Sequence, residues 1–264
     1  MSATRTRSSE RWSPTEVAAL LHALEPLAEP GAPACAVSVR DRRVELTLDP
    51  AALHGRAPSP ADVPAHHVLV HAGRLVGAVE NALRSFGWAP RTVVATDADA
   101  RPLAAVSATR RRPATPMDLV RRRVDRRPGG AASPRYAAPA DASRVVDVAH
   151  AAASRGAWLH LLNGPTRDGV PAWRTPATVP ADTLTLDLPW RRDPVLAVCT
   201  HVDGVREAVL AGVVLERAVV EAALRGLQVE AHVEAFDDAA VRAATLAAAE
   251  HETGVGHAAL RLFP

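Results

Sequence analysis

Apolar residues recur at helical spacing close to the start of the chain. Val17, Leu20, Leu21 and Leu24 fall on one face before Pro26 ends the run. The residues ahead of them, Ser13-Pro14-Thr15-Glu16, form a capping box. Ser at the N-cap and Glu three positions later each satisfy a backbone N–H that the first turn leaves unpaired, and Pro suits the first helical position. The period then changes to two. Val44-Glu45-Leu46-Thr47-Leu48 alternates as a half-buried strand does, and it pairs with Ala36–Val39 across an Asp41-Arg42 turn. A Pro-rich loop covers 50–64. A long helix follows from about His66 to Phe86, closed by Gly87, and Val93–Thr96 and Leu103–Val106 read as two short strands.

Residues 108–118 are dense in Arg and Pro and mark a boundary. A short helix around Met117–Arg123 comes next, then a loop to Pro139. Asp141 caps a helix running to Arg155 with Gly156 after it, and Trp158–Leu162 is a strand. Asn163–Pro189, rich in Pro, Gly, Asp and Thr, is a loop or lid. Val195–Thr200 is apolar nearly throughout, which places it centrally in a sheet with both faces covered. The rest reads as a helix from Val205 to Arg225 stopped by Gly226, a strand Leu227–Val233, a helix capped by Asp237 to Glu250, and a last strand His257–Leu262.

This order contains a repeat. Ala72-Gly73 lies in one long helix and Ala211-Gly212 in the other, and fourteen residues after each Gly stands a second, Gly87 and Gly226. A bulky apolar residue (Trp88, Leu227) and a β-like segment follow both. Gly is a common helix terminator, so the shared order of strand, helix, Gly and strand carries the inference more than the glycines alone. The division is a disordered tail over 1–12, a first half over 13–109 and a second over 110–264, with a shortened lid near 163–189.

Composition changes the picture only in places. All 31 basic residues are Arg, with no Lys and no Ile, the bias of a GC-rich coding sequence; Arg is therefore weaker evidence of selected chemistry here than elsewhere. A formal charge of +2 does not by itself point to nucleic acid or a membrane surface. No stretch approaches the ~20 apolar residues of a membrane span, and the polar start lacks a signal peptide's apolar segment. The expected compartment is the cytoplasm. Cys35 and Cys199 are far apart and form neither a CxxC nor a disulfide framework.

Eight Arg lie between Arg110 and Arg127, against Asp118 and Asp125. Guanidinium forks bind phosphate oxygens in pairs, so the segment is either a phosphate site or a solvated basic linker. Nucleic acid is disfavoured, because no aromatic residue is interleaved for base stacking. Glu216 falls on the apolar side of its helix among Val205, Val209, Gly212, Val219 and Val220, so it is buried and needs an ion pair or hydrogen bonds. His67 and His71 have metal-compatible i,i+4 spacing, but no third ligand is signalled and no metal site is assigned.

Arg122-Arg123-Val124-Asp125-Arg126-Arg127-Pro128 resembles the RR-T-DRRP-F segment of the Acg-type branch of nitroreductase-like flavoproteins. Three more stretches agree in order and spacing. His71-Ala72-Gly73 through Phe86-Gly87-Trp88 resembles the family's SCGAAL…ALGW helix, and Asp168-Gly169-Val170-Pro171 its DGIP loop. Leu210-Ala211-Gly212 with Leu215-Glu216-Arg217 and Arg225-Gly226-Leu227 resembles its LRAG…LER…GL helix. The resemblance runs from about Thr15 to the C-terminus. It implies an α+β, nitroreductase-like fold: two repeated α/β halves with mostly antiparallel sheets packed by long central helices, a dimer folded within one chain with FMN between its halves. Carried over, Arg122, Arg123 and Arg126 would contact the flavin phosphate. Val124 stands where the family has Ser or Thr, Gly129 replaces an aromatic residue, and the family's N-terminal APS-x-HN-x-QPW segment has no counterpart after Gly31-Ala32-Pro33.

Two functions are then open. One is an FMN-dependent oxidoreductase taking hydride from NAD(P)H and passing electrons to a small-molecule acceptor, with no catalytic acid or base identified. The other is a non-catalytic relative that sequesters flavin or serves as an interaction scaffold. The fused-dimer reading allows either a monomer or a homodimer.

Overall fold

A computed structural model describes residues 12–27, 35–48, 66–124, 140–154, 156–162, 194–247 and 254–264. The tail before Trp12, the Pro-rich loop, the lid region and Arg126 lie outside the described residues. Helix α1 (Pro14–Leu24) carries the full capping box, with Ser13 Oγ accepting from Glu16 N and the Glu16 carboxylate accepting from Ser13 N. Strands β1 (Cys35–Arg40) and β2 (Arg43–Leu48) form a hairpin around Asp41 and Arg42, both at positive φ as a two-residue turn with the strands' own twist requires.

Helix α2 (His66–Ser85) is followed at Gly87, φ +75°, by β3 (Trp88–Val94) and β4 (Ala104–Arg111). Both strands are longer than the sequence suggests. Pro90 obscures the start of β3, and a register shift at Ala89/Pro90 accommodates the missing N–H. β4 continues through Arg110 and Arg111, which pair with Ala89 and Trp88; the strand therefore runs two residues past the expected division at 109. Helix α3 (Pro116–Arg123) has its own capping box, Thr115 with Asp118.

The second half brings α4 (Ala142–Ala152), β5 (Ala157–Leu161), β6 (Val195–Thr200), α5 (Val205–Leu224), β7 (Gln228–His232), α6 (Ala239–Ala247) and β8 (Val255–Phe263). Helix α4 stops three residues before Arg155, and Gly156, φ +91°, serves the turn into β5 instead of a helix end. α6 is capped by Asp238, whose carboxylate accepts from Ala240 N, because Asp237 is held by His67 on α2.

The fold is α+β with two antiparallel sheets, ordered β1-β2-β4-β3 and β5-β6-β8-β7. In each, the first two strands precede a long helix, the last two follow it, and the final strand inserts beside the second. Helices α2 and α5 cross at the paired glycines. A Cβ on Gly73 would stand 2.8 Å from the Gly212 Cα and strike the Val209 carbonyl oxygen, and one on Gly212 would strike the Val70 carbonyl oxygen. Four residues on, Gly77 leaves room for the Glu216 stem. One hydrophobic core spans both halves through this crossing. The sheets differ in what covers them. β2 buries Val44, Leu46 and Leu48 on one face. β6 is buried at every residue because Leu196 and Val198 join the main core, while Val195, Ala197 and Cys199 pack with Phe236 and Val241 beneath α6. Among the described residues no helix is long and apolar enough to cross a membrane.

Candidate functional site

Beside the helix crossing, α2, α3, α4 and α5 line a half-open cavity of about 200 Å³, bounded by Asn81, Arg84, Arg121, Ala151, Arg217 and Val220, with Glu221. Its polar groups come from helix geometry. Asn81 and Arg84 share a face of α2 at i,i+3, as do Arg217 and Val220 on α5. Arg121 lies three residues after Asp118, the buried residue that marks the inward side of α3.

Two carboxylates organise the guanidinium groups. Glu80 Oε2 accepts from Arg84 Nη2 at 2.9 Å and from Arg217 Nη2 at 2.8 Å, and Glu80 Oε1 accepts from Thr92 Oγ1 at 2.6 Å. Burial works to raise the Glu80 pKa, but Arg84, Arg217 and the Thr92 hydroxyl outweigh it and hold the carboxyl below its ordinary value. Glu221 Oε1 accepts from Arg121 Nε at 2.8 Å and Nη2 at 2.6 Å, and its Oε2 accepts from Arg225 Nη1 at 2.6 Å. Four guanidinium groups thus face two carboxylates, leaving an excess of two positive charges around the cavity. Asn81 Nδ2 is buried with no hydrogen-bond partner among the described residues, while its Oδ1 accepts weakly from Arg84 Nη1 at 3.4 Å. A buried amide N–H left this way costs about 1–3 kcal/mol until something accepts from it. Excess positive charge together with an orphan donor suits an anion.

The structure brings the candidate arginines together only in part. Arg122 and Arg123 are exposed, and the Arg122 guanidinium lies 4.9 Å over the Phe86 ring; neither lines the cavity. Consecutive helical residues diverge by about 100°, so of the three arginines ending α3 only Arg121 faces α5. Much of the remaining basic run is committed within the fold: Arg111 stacks 3.7 Å over Trp88, and Arg112 pairs with Asp118 at 3.0 Å. Asn81 and Arg84, which sequence reasoning missed, lie 136 and 133 residues before Arg217, which it also missed. Only the repeat, which makes α2 and α5 partners, could have pointed to them.

Glu216 is fully buried, with Arg74 Nε 3.4 Å from its Oε2, an ion pair inside the helix crossing and away from the cavity. His67 and His71 do not converge on a shared ligand. His67 binds Asp237 through both its backbone N–H and its Nδ1, each at 2.7 Å. The chain matches no known family model, and no curated protein is significantly similar to it.

Proposed function

We propose that this chain is a divergent nitroreductase-like protein, an FMN-dependent oxidoreductase that draws electrons from NAD(P)H and passes them to a small-molecule acceptor. The observation that supports it most is the cavity: an arginine-lined pocket with an Asn81 amide N–H unpartnered among the described residues, beside the crossing of two equivalent helices, in a chain whose halves share one strand order. The same strand order in both halves favours an internal duplication, the arrangement expected of a dimer fused into one chain.

The residues fit the phosphate end of FMN. Asn81 Nδ2 supplies an unused donor, and Arg84, Arg121 and Arg217 supply charge in excess of Glu80 and Glu221. About 200 Å³ admits a phosphate and part of its chain, but falls short of the roughly 300–1,000 Å³ that encloses a whole drug-sized ligand. When bound, the flavin would supply hydride acceptance and electron transfer, chemistry that belongs to the cofactor. The protein's part is to hold the anion, fix its orientation and exclude water. Arg122 and Arg123, on the solvent side of α3, add positive potential on the approach.

Reconstitution with FMN tests the reading. The protein should retain a yellow chromophore through gel filtration, and Arg121→Ala or Asn81→Leu should release it. A colourless protein with no measurable FMN affinity would remove the proposal. A second reading, a non-catalytic scaffold, is favoured by one observation: every cavity guanidinium already has a carboxylate partner. Flavin bound without NAD(P)H oxidation in the presence of a quinone or nitroarene would favour sequestration, and no flavin bound would favour the scaffold.

A further inference from the structure

A second polar cluster lies where α2 begins, remote from the helix-lined cavity. His66, the first residue of α2, places Nε2 3.2 Å from His257 Nδ1 on β8, the ring centroids 5.0 Å apart and the planes 19° from parallel. The carboxylate of Asp203, in the turn between β6 and α5, completes a group whose ligand atoms all lie within 4.8 Å of one another. Both imidazoles are buried, and Asp203 is exposed on the solvent side.

The hydrogen bonds around the cluster decide which atoms face inward. The single proton of Thr200 Oγ1 is donated to the Val202 carbonyl at 2.7 Å. The contact of 2.6 Å between that oxygen and His257 Nε2 must therefore be donated by His257. In the neutral ring this leaves Nδ1 unprotonated, its lone pair directed at His66. Asp203 is fixed by Arg242, whose Nε and Nη2 both donate to Oδ2, at 3.0 and 2.8 Å, while Arg242 Nη1 is anchored on the carbonyls of Phe236 and Asp237. Two carboxylates stand at this corner, Asp203 paired with Arg242 and Asp237 paired with His67.

We propose that His66, His257 and Asp203 form a binding site for one divalent first-row transition ion, with zinc as the type case. The nitrogen separation of 3.2 Å is close to the ~3.3 Å subtended by two imidazoles at about 2.0–2.1 Å from a tetrahedral zinc. The Thr200 hydroxyl and Val202 carbonyl form the outer hydrogen-bond chain that usually fixes the tautomer and orientation of a metal-bound histidine. Asp203 supplies an oxygen ligand at the open side, through which the ion reaches the two buried nitrogens. Three protein ligands leave a coordination position for water, so the site is of the open kind, as exchangeable and catalytic metals use. His66 and His257 stand 191 residues apart, so ion binding ties the first half's central helix to the second half's last strand.

Cobalt(II) titration of the chelator-stripped full chain tests the site without reference to flavin. The wild type should develop visible d–d bands saturating at one equivalent, displaced by Zn²⁺, and Zn²⁺ should raise its Tm. His66→Gln and Asp203→Asn should each abolish the saturable band or weaken binding at least ~10-fold, and Thr200→Val should weaken it by about 10–100-fold, the usual effect of losing an outer partner. Circular dichroism confirms that each variant is folded. No band in the wild type, or a band unchanged in both ligand variants, overturns the proposal and leaves a hydrogen-bonded histidine pair. Loss in His66→Gln with full retention in Asp203→Asn overturns the three-ligand site.

Discussion

Replacing Gly73 by Ala probes the contact that joins the halves. The new Cβ would meet the Gly212 Cα at 2.8 Å and overlap the Val209 carbonyl oxygen, both of them backbone atoms that no rotamer change can remove. Ordinary contact requires the helices to part by about 1 Å, and a gap of that size forfeits roughly a quarter to a half of each dispersion contact it opens. The contacts at risk include those of Val70, Val76, Val209 and Val213, all buried at the crossing. Overpacking of this kind costs about 1–3 kcal/mol, and rigid backbone puts the value at the top of that range. Ala recovers about 1 kcal/mol in helix propensity over Gly. The net expectation is a destabilisation of about 2 kcal/mol, read as a lower urea midpoint at constant m-value. Gly212→Ala should cost a similar amount, and the double variant less than the sum, since parting the helices once relieves both overlaps. Gly226→Ala is the contrast: its Cβ meets nothing within 4 Å, and only the strain of φ +70° remains, about 1–2 kcal/mol. A neutral or stabilising Gly73→Ala would refute the backbone-to-backbone crossing.

Three other outcomes follow from the packing and charge of the fold. Glu80 has its pKa lowered, so its contribution is present in full above the unfolded value near 4.5 and is lost as pH falls through its lower folded value. Urea melts between pH 7 and pH 3 should show that loss, flattened in Glu80→Gln, which itself should cost about 3 kcal/mol at pH 7 by stranding Arg84 and Arg217. Burial pushes the thiols of Cys35 and Cys199 up to about 11 and about 12, so neither should react appreciably with a disulfide reagent at pH 8 until urea unfolds the chain; rapid native labelling of Cys199 would contradict its place inside β6. Arg122→Ala, which removes an exposed side chain over Phe86, should change stability by less than about 0.5 kcal/mol.

Local chemistry made much of the fold legible. The Ser13 capping box, the Asp41-Arg42 hairpin and the two terminating glycines act within a few residues of themselves, and each stands where its sequence places it. The uninterrupted apolar run of β6 correctly announced a strand covered on both faces. Errors arose where a local signal was overruled by a partner distant in the chain. Arg110 and Arg111 read as linker, yet they extend β4 because Trp88 and Ala89 offer them a ladder. Asp237 has the look of a cap, but His67 takes its carboxylate and Asp238 caps instead. At the candidate site the sequence found the arginine-rich helix but not its rotation, which turns Arg121 inward and Arg122 and Arg123 out. The i,i+4 pair His67 and His71 drew attention one residue away from His66, whose partner lies 191 positions downstream and beyond the reach of any spacing rule.

The phosphate is what the cavity is held to recognise, so comparing FMN with riboflavin by calorimetry is the most direct test. A phosphate-anchored flavin predicts that FMN binds at least ~10-fold more tightly than riboflavin, about 1.4 kcal/mol or more, and that Arg121→Ala removes the difference. Equal affinities for the two, or a preference for FMN that survives Arg121→Ala, would contradict it.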